Sequence, residues 1–162
     1  AAPTLLSLDL IPKYAQLVLV RLELVRSMWA TAPKSDYQVE HIYPQSPEPG
    51  GWVAFATAGL KEANLNKLGN LTLLPSEWNQ YVGNSEYTDK QTDPAGGPAA
   101  RRKDYTRAST GLNIKLCDEI STSGVGFYAN WTPAEVSARS IILGRELYAT
   151  FCNASLNSGG FV

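Results

Sequence analysis

Two blocks of sequence decide the expected fold of this chain: Tyr37-Gln38-Val39-Glu40-His41-Ile42-Tyr43-Pro44-Gln45 and Leu68-Gly69-Asn70-Leu71-Thr72-Leu73-Leu74-Pro75-Ser76-Glu77-Trp78-Asn79. Residues 37–42 alternate polar and apolar side chains, which predicts a half-buried strand that leads to Pro44. Residues 71–74 predict a second strand. Ser76 is a candidate N-cap for a short helix whose first turn carries Asn79. The two blocks therefore predict two strands followed by a helix.

The side chains in these blocks have the chemistry needed to hydrolyse a phosphodiester bond. His41, the only histidine of the 162 residues, can accept a proton from water near neutral pH. Carboxylate and amide oxygens, as in Glu40 and Asn79, suit a hard cation such as Mg²⁺. One geometric constraint remains, because adjacent strand residues point to opposite faces. Glu40 and His41 share a site only if the strand twists or ends there.

The same blocks resemble a known nuclease domain. The segment EHIxPQ at Glu40–Gln45, the segment LGNLTLL at 68–74 and the later Asn79 are similar to the HNH (ββα-metal) domain of GmrSD-type modification-dependent restriction endonucleases. The order is also similar to that of the HNH domain of CRISPR effector nucleases. The resemblance implies an α+β, mostly helical fold, with a ββα-metal core at 37–84 embedded among flanking helices at 10–30 and 131–152.

The resemblance also implies a function. The domain would be a metal-dependent DNA endonuclease that nicks or cuts phosphodiester bonds in restriction and anti-phage defence. His41 would be the general base, and Asn70 would orient the loop and the histidine. Glu40 and Asn79 would hold Mg²⁺ or Mn²⁺. Glu77 is an alternative metal ligand, although we favour its interpretation as a negative charge at a helix N-terminus.

Candidate DNA contacts surround the two blocks. Asn84 and Lys90 follow the family pattern, whereas Lys67 borders the site and is equally well an ordinary surface lysine. Residues 101–107 contain the most basic cluster, which is either a phosphate clamp or a solvated loop flank. The full set of candidates is Lys67, Asn84, Lys90, Arg101, Arg102, Lys103 and Arg107.

The overall composition limits the classes of protein that fit. A content of 44% hydrophobic and 18% charged residues is typical of a globular protein, and the length fits one domain over residues 1–162. A net charge of −1 argues against a stand-alone DNA binder. The resemblance implies that this is a domain excised from a larger protein, in which an N-terminal sensor or NTPase domain delivers it to DNA, and we expect that protein to be cytoplasmic. Cutting both strands would favour a homo-oligomer.

Further patterns concern the flanking helices and the cysteines. Thr132-Pro133-Ala134-Glu135 predicts a capped helix start. Cys117 and Cys152 form no Cys-x-x-Cys motif, which favours buried apolar residues over a zinc site and leaves a disulfide open. No apolar run approaches the length of a transmembrane helix. The flanking helix at 10–30, which precedes the first strand, is predicted to bury the face formed by Tyr14, Leu17, Val18, Leu22, Val25 and Trp29.

Two other functions fit the same residues. The first is a non-catalytic DNA-binding or protein-interaction module that keeps the HNH scaffold. In this module, replacing His41 would leave DNA affinity intact. The second is a helical interaction domain with a structural His41. Whether Glu40, His41 and Asn79 converge on one ion-sized space distinguishes these alternatives from the nuclease.

Overall fold

The computed structural model describes residues 12–27, 36–94, 103–122 and 127–157, without the side chains of Pro12 and residues 153–157. The predicted α+β, mostly helical fold with a hairpin-and-helix core is confirmed. Short 3₁₀ turns occur at Val53–Phe55, Leu68–Asn70 and Lys115–Cys117. The helices and strands are α1 (Pro12–Ser27), β1 (Tyr37–His41), α2 (Leu60–Leu65), β2 (Leu71–Pro75), α3 (Ser76–Val82), α4 (Tyr87–Gln91), α5 (Tyr105–Leu112) and α6 (Pro133–Asn157).

The hairpin of β1 and β2 is antiparallel, with His41 opposite Leu71 and Tyr37 opposite Pro75. Helix α3 follows β2 without a loop. The predicted cap Ser76 is instead the first helical residue, because Pro75 occupies the cap position and no side chain caps the helix there. The Asn79 Nδ2 atom of α3 donates to the Val39 carbonyl oxygen at 3.1 Å. This bond fastens the helix to the first strand and completes a ββα core.

The core lies around β2, whose residues 71–74 are all buried. This strand packs against α1, α3 and the turn at 115–117, so both of its faces are covered and its sequence is almost continuously apolar. The buried apolar side chains include Leu19, Leu22, Ile42, Leu68, Leu71, Leu73, Leu74, Ile114, Leu116, Val136 and Leu143.

The predicted buried face of α1 is only partly correct. Leu22 is buried and Val18 packs against the core, but Tyr14, Leu17 and Val25 are exposed, and Trp29 lies outside the described residues. Beside Leu22, the buried face carries Ala15, Leu19 and Glu23. The Glu23 carboxylate accepts the backbone N–H groups of residues 115 and 116, both at 2.8 Å. These bonds to the 115–117 turn compensate the burial of an acid, so the helix turns its charged residue inwards.

Helix α6 begins as predicted. The Thr132 hydroxyl accepts the N–H of Ala134 at 3.2 Å and contacts the carboxylate of Glu135, which is the arrangement of a capped helix start. One turn further, Arg139 is fully buried. Its guanidinium donates to the carbonyl oxygens of Gly69, Leu71 and Leu116, each at 2.8 Å.

Both cysteines, Cys117 and Cys152, are free thiols, and Cys117 is buried. The prediction of a buried apolar residue therefore holds for Cys117, and the two residues form no disulfide. Within the described ranges, no helix is long and apolar enough to span a bilayer.

Gly69 allows α6 to pack closely against the turn at Leu68–Asn70. Its N–H donates to Ser140 Oγ at 2.9 Å. An added Cβ at residue 69 would overlap the Val136 carbonyl oxygen and would lie 2.7 Å from the Ser140 nitrogen. Because both of these atoms belong to helix backbone, neither can move aside without shifting α6.

We predict that Gly69→Ala destabilises the fold, whereas Gly111→Ala does not. Overpacking against backbone costs about 1–3 kcal/mol. Gly111 lies in α5, and a Cβ there would meet only the mobile end of the Arg107 side chain, so alanine is tolerated and favours the helix. Urea unfolding of both variants measures the difference. Equal midpoints would contradict the close packing of α6 on residue 69.

Candidate active site

Glu40, His41 and Asn79 line one pocket of about 230 Å³, together with Asn84. The strand β1 ends at His41, so the alternation of side chains between two faces does not continue beyond it. Glu40 points into the protein and is 4% exposed, whereas His41 is half-buried. Both residues line the pocket although they are adjacent in the last two positions of β1.

The His41 ring contacts an asparagine that is not among the residues lining this pocket. Its Nε2 atom lies 3.3 Å from Asn66 Oδ1, and Asn66 does not line the pocket. Burial lowers the pKa of His41 below its ordinary value. The hydrogen bond with Asn66 opposes this shift, and the charge of Lys90 adds to it. The imidazole is therefore neutral at physiological pH and can act as a proton acceptor.

Glu40 is part of a buried ion pair. Lys90 Nζ lies 2.7 Å from Glu40 Oε1, and the Tyr105 hydroxyl donates to the same oxygen at 2.9 Å. Burial raises the pKa of the Glu40 carboxyl and lowers the pKa of the Lys90 ammonium, while their mutual attraction opposes both shifts. Burial also raises the pKa of Tyr105, which keeps its hydroxyl protonated as a donor.

The predicted role of Lys90 as a DNA contact is wrong in this structure. Lys90 is fully buried, and its ammonium also donates to the His41 carbonyl oxygen at 3.0 Å. A cation with these partners offers no charge to a phosphate at the surface. It neutralises Glu40 and supports the backbone at the end of β1, because a buried carboxylate needs a partner of opposite charge.

Asn70 orients the loop after the histidine rather than the histidine ring. Its Oδ1 accepts the N–H of Tyr43 at 2.8 Å and the indole N–H of Trp131 at 3.1 Å. Its Nδ2 donates to the carbonyl oxygens of Tyr43 and Leu65, each at 3.0 Å. With these four bonds the side chain is fully satisfied and buried. None of these four bonds goes to the imidazole, so an influence of Asn70 on the histidine would act through the backbone of residue 43.

Asn79 lines the pocket, and its nitrogen is used in a bond to the backbone. This Nδ2 bond to the Val39 carbonyl oxygen leaves Oδ1 as an acceptor. Asn84 is exposed at the rim of the same pocket. The pocket lining therefore includes an amide side chain, Asn79, and a carboxylate side chain, Glu40.

These oxygens suit Mg²⁺. It prefers hard oxygen ligands and keeps several of its waters, so one carboxylate and one amide are a sufficient protein share. The pocket volume of about 230 Å³ leaves room for an ion with bound waters. Within the described ranges, no three His, Cys, Asp or Glu side chains come together as a metal-binding group. Glu77 does not line the pocket; it pairs with Lys103 at the start of α3.

Three further DNA candidates, Lys67, Lys103 and Arg107, do not line this pocket. Lys67 Nζ donates to Asn64 Oδ1 at 3.2 Å. Lys103 is paired with Glu77. The backbone N–H of Arg107 donates to Asp104 Oδ1 at 2.7 Å, and this bond caps the start of α5. The predicted contacts Arg101 and Arg102 lie outside the described residues.

Sequence reasoning missed the partners of the two central side chains, Asn66 and Tyr105. Glu40 follows the apolar residue Val39, and Ile42 comes two residues later. An acid in such a strand indicates that a buried cation or hydroxyl must bind its carboxylate. This signal calls for a partner but does not identify it. Asn66 gives no comparable signal, because an asparagine at the end of a helix is ordinary turn chemistry.

The fold and this pocket define a class of protein in which a ββα core carries a histidine beside a carboxylate and two structural asparagines. The chain belongs to one family of this kind: the model described as GmrSD restriction endonucleases, C-terminal domain, matches residues 12–146. This membership assigns the chain to a nuclease family related to restriction endonucleases. No curated protein and no solved structure matches the chain.

We predict that Lys90→Met lowers the free energy of unfolding by about 3–5 kcal/mol, because it leaves the Glu40 carboxylate buried without its counter-ion. Lys103→Met provides the matched control. It breaks a Lys–Glu pair whose glutamate is largely exposed and should cost about 0.5 kcal/mol. Denaturant unfolding at neutral pH measures both.

The double variant Glu40→Gln/Lys90→Met completes this test. It removes both charges and should recover most of the stability lost in Lys90→Met. If the single and double variants were equally unstable, the loss would come from packing of the lysine side chain and not from the unpaired carboxylate.

Proposed function

We propose that this domain is a Mg²⁺-dependent DNA endonuclease of the HNH type that acts in restriction and anti-phage defence. The observation that carries the proposal is that Glu40, His41 and Asn79 line one pocket. Membership of a family of restriction endonuclease domains supports the reaction class. Mn²⁺ would serve in place of Mg²⁺, since it accepts the same oxygen ligands.

His41 is the general base in this proposal. Its neutral imidazole takes a proton from a water molecule while the water oxygen attacks the phosphorus. The bond from phosphorus to the 3′ oxygen breaks, and this leaving oxygen takes up a proton from solvent water. The products carry 5′-phosphate and 3′-hydroxyl ends. Asn70 contributes by fixing the backbone of residue 43, two positions beyond the base. It accepts the N–H of residue 43 and donates to its carbonyl oxygen.

Glu40 and Asn79 hold the metal. When bound, Mg²⁺ would neutralise the charge that develops on the phosphate and the leaving oxygen. The Tyr105 hydroxyl and the Lys90 ammonium fix the Glu40 carboxylate through Oε1. The Lys90 charge also cancels most of the local negative charge, so we expect weak metal binding that is completed by the substrate phosphate.

DNA contacts in this proposal lie at the pocket rim and beside it. Asn84 stands at the rim, and Lys67, Lys103 and Arg107, with Arg101 and Arg102, supply charge to the flanking phosphates. We propose that residues 1–162 act as one nuclease domain of a larger cytoplasmic protein. In that protein an N-terminal sensor or NTPase domain selects the DNA, and a homo-oligomer cuts both strands.

One observation favours the non-catalytic alternative. Glu40 already has a buried counter-ion in Lys90, so a module could retain this scaffold without binding a metal. Such a module would bind DNA equally well with and without His41. The following experiments separate it from the nuclease.

We predict that the domain relaxes supercoiled plasmid in the presence of Mg²⁺ or Mn²⁺, and that His41→Ala abolishes this activity. The substitution removes the base, a contribution worth about 10²- to 10⁴-fold in rate. Agarose gels follow nicking with metal and with chelator, and circular dichroism checks the fold of the variant. Cleavage by a folded His41→Ala domain would rule out His41 as the base.

We predict that Asn79→Ala weakens Mn²⁺ binding by at least about tenfold, because it removes one of two protein ligands. Gln80→Ala is the matched control, since Gln80 is the exposed neighbour on α3 and does not line the pocket. Titration calorimetry on the metal-stripped domain compares both with wild type. Equal affinities in all three proteins would exclude Asn79 as a ligand.

A further inference from the structure

We propose that Asn66 is a positioning residue that fixes the tautomer of His41, so that Nε2 carries the proton and Nδ1 is the basic nitrogen. The inference deepens the proposed nuclease function and rests on it for its catalytic consequence. Its structural part concerns the ring alone and can be measured without any reaction.

The contact that carries the proposal is the 3.3 Å separation between His41 Nε2 and Asn66 Oδ1. A neutral imidazole has one nitrogen that donates and one that accepts. An amide oxygen only accepts, so a hydrogen bond between these atoms requires the proton to be on Nε2. The lone pair is then on Nδ1, and this nitrogen can take a proton from water.

The position of Asn66 supports the same assignment. His41 lines the pocket and Asn66 does not, so the asparagine binds the ring without itself lining the pocket. The backbone of Asn66, at φ −100° and ψ 9° directly after α2, is one that other residues adopt without strain. Asn66 can therefore be replaced without disturbing the turn.

Two asparagines thus have different functions near the same histidine. Asn70 fixes the backbone after His41 through both hydrogen-bonding groups of residue 43. Asn66 fixes the ring. With the amide of Asn66 reversed, its Nδ2 would donate to Nε2, the ring proton would be on Nδ1, and the ring would present no lone pair to a water molecule in the pocket.

The sole histidine of the chain makes the tautomer directly measurable. A long-range ¹H–¹⁵N correlation spectrum of the labelled domain contains one imidazole, whose two nitrogens differ in shift according to which is protonated. We expect Nε2 to be the protonated nitrogen in wild type. A spectrum with the proton on Nδ1 would overturn the proposal, whatever the activity of the domain.

Two variants at residue 66 complete the test. Asn66→Ala removes the acceptor and should give a mixture of tautomers, with kcat reduced roughly 10- to 100-fold and KM for DNA unchanged. Asn66→Asp keeps an acceptor oxygen at the same place and should retain the wild-type tautomer. Its activity should be within a few-fold of wild type at mildly alkaline pH, where the imidazole beside the new carboxylate is neutral. Circular dichroism verifies that both variants are folded.

The outcomes distinguish this inference from the proposed function. If wild type nicks DNA in a His41-dependent manner and Asn66→Ala keeps both the tautomer and the kcat, only the assignment of Asn66 is overturned. If a folded His41→Ala domain still nicks DNA, the proposed base is overturned, whereas the NMR result on Asn66 stands by itself.

Discussion

The buried guanidinium of Arg139 is the interaction on which the rest of this structure depends. It lies on α6 and donates to three backbone carbonyl oxygens that belong to two separate segments, at 69–71 and at 116. Its Nε also donates to Glu119 at 3.2 Å. A charge without contact to solvent is stabilised only if each donor finds a partner, so these segments are held in one fixed relation to the helix.

The active-site geometry follows from this constraint. Asn70 stands between two of the carbonyl groups that Arg139 binds, so its side chain is aimed by a backbone that cannot rotate freely. Its side chain hydrogen-bonds both backbone groups of residue 43. These bonds fix the path of the chain where it leaves the sheet after β1. Glu40 and His41 lie immediately before that exit. The side chains of the proposed catalytic site are therefore positioned by a chain of hydrogen bonds that begins on a helix distant in sequence.

Local sequence patterns were sufficient for the parts of the fold that depend on neighbouring residues. The alternation at 37–42, the run at 71–74 and the cap at Thr132 each predicted an element near its observed place. The α1 face was predicted only in part, because an apolar pattern cannot reveal that Glu23 is satisfied by backbone N–H groups far along the chain. The partners of Glu40 were out of reach for the same reason, since Lys90 and Tyr105 meet it across 50 and 65 residues.

The buried cations also affect the electrostatic field that the domain presents to a polyanion. Lys90 and Arg139 are fully buried, and Arg26 is engaged with Glu119 and Glu146 at 2.5 and 2.8 Å. Positive charges paired inside the fold contribute little to the field beyond the surface. With a net charge of −1, the chain as a whole has no excess of positive charge with which to attract a polyanion over long distances. In the proposed nuclease, DNA recognition then depends on local basic side chains and on contacts at short range.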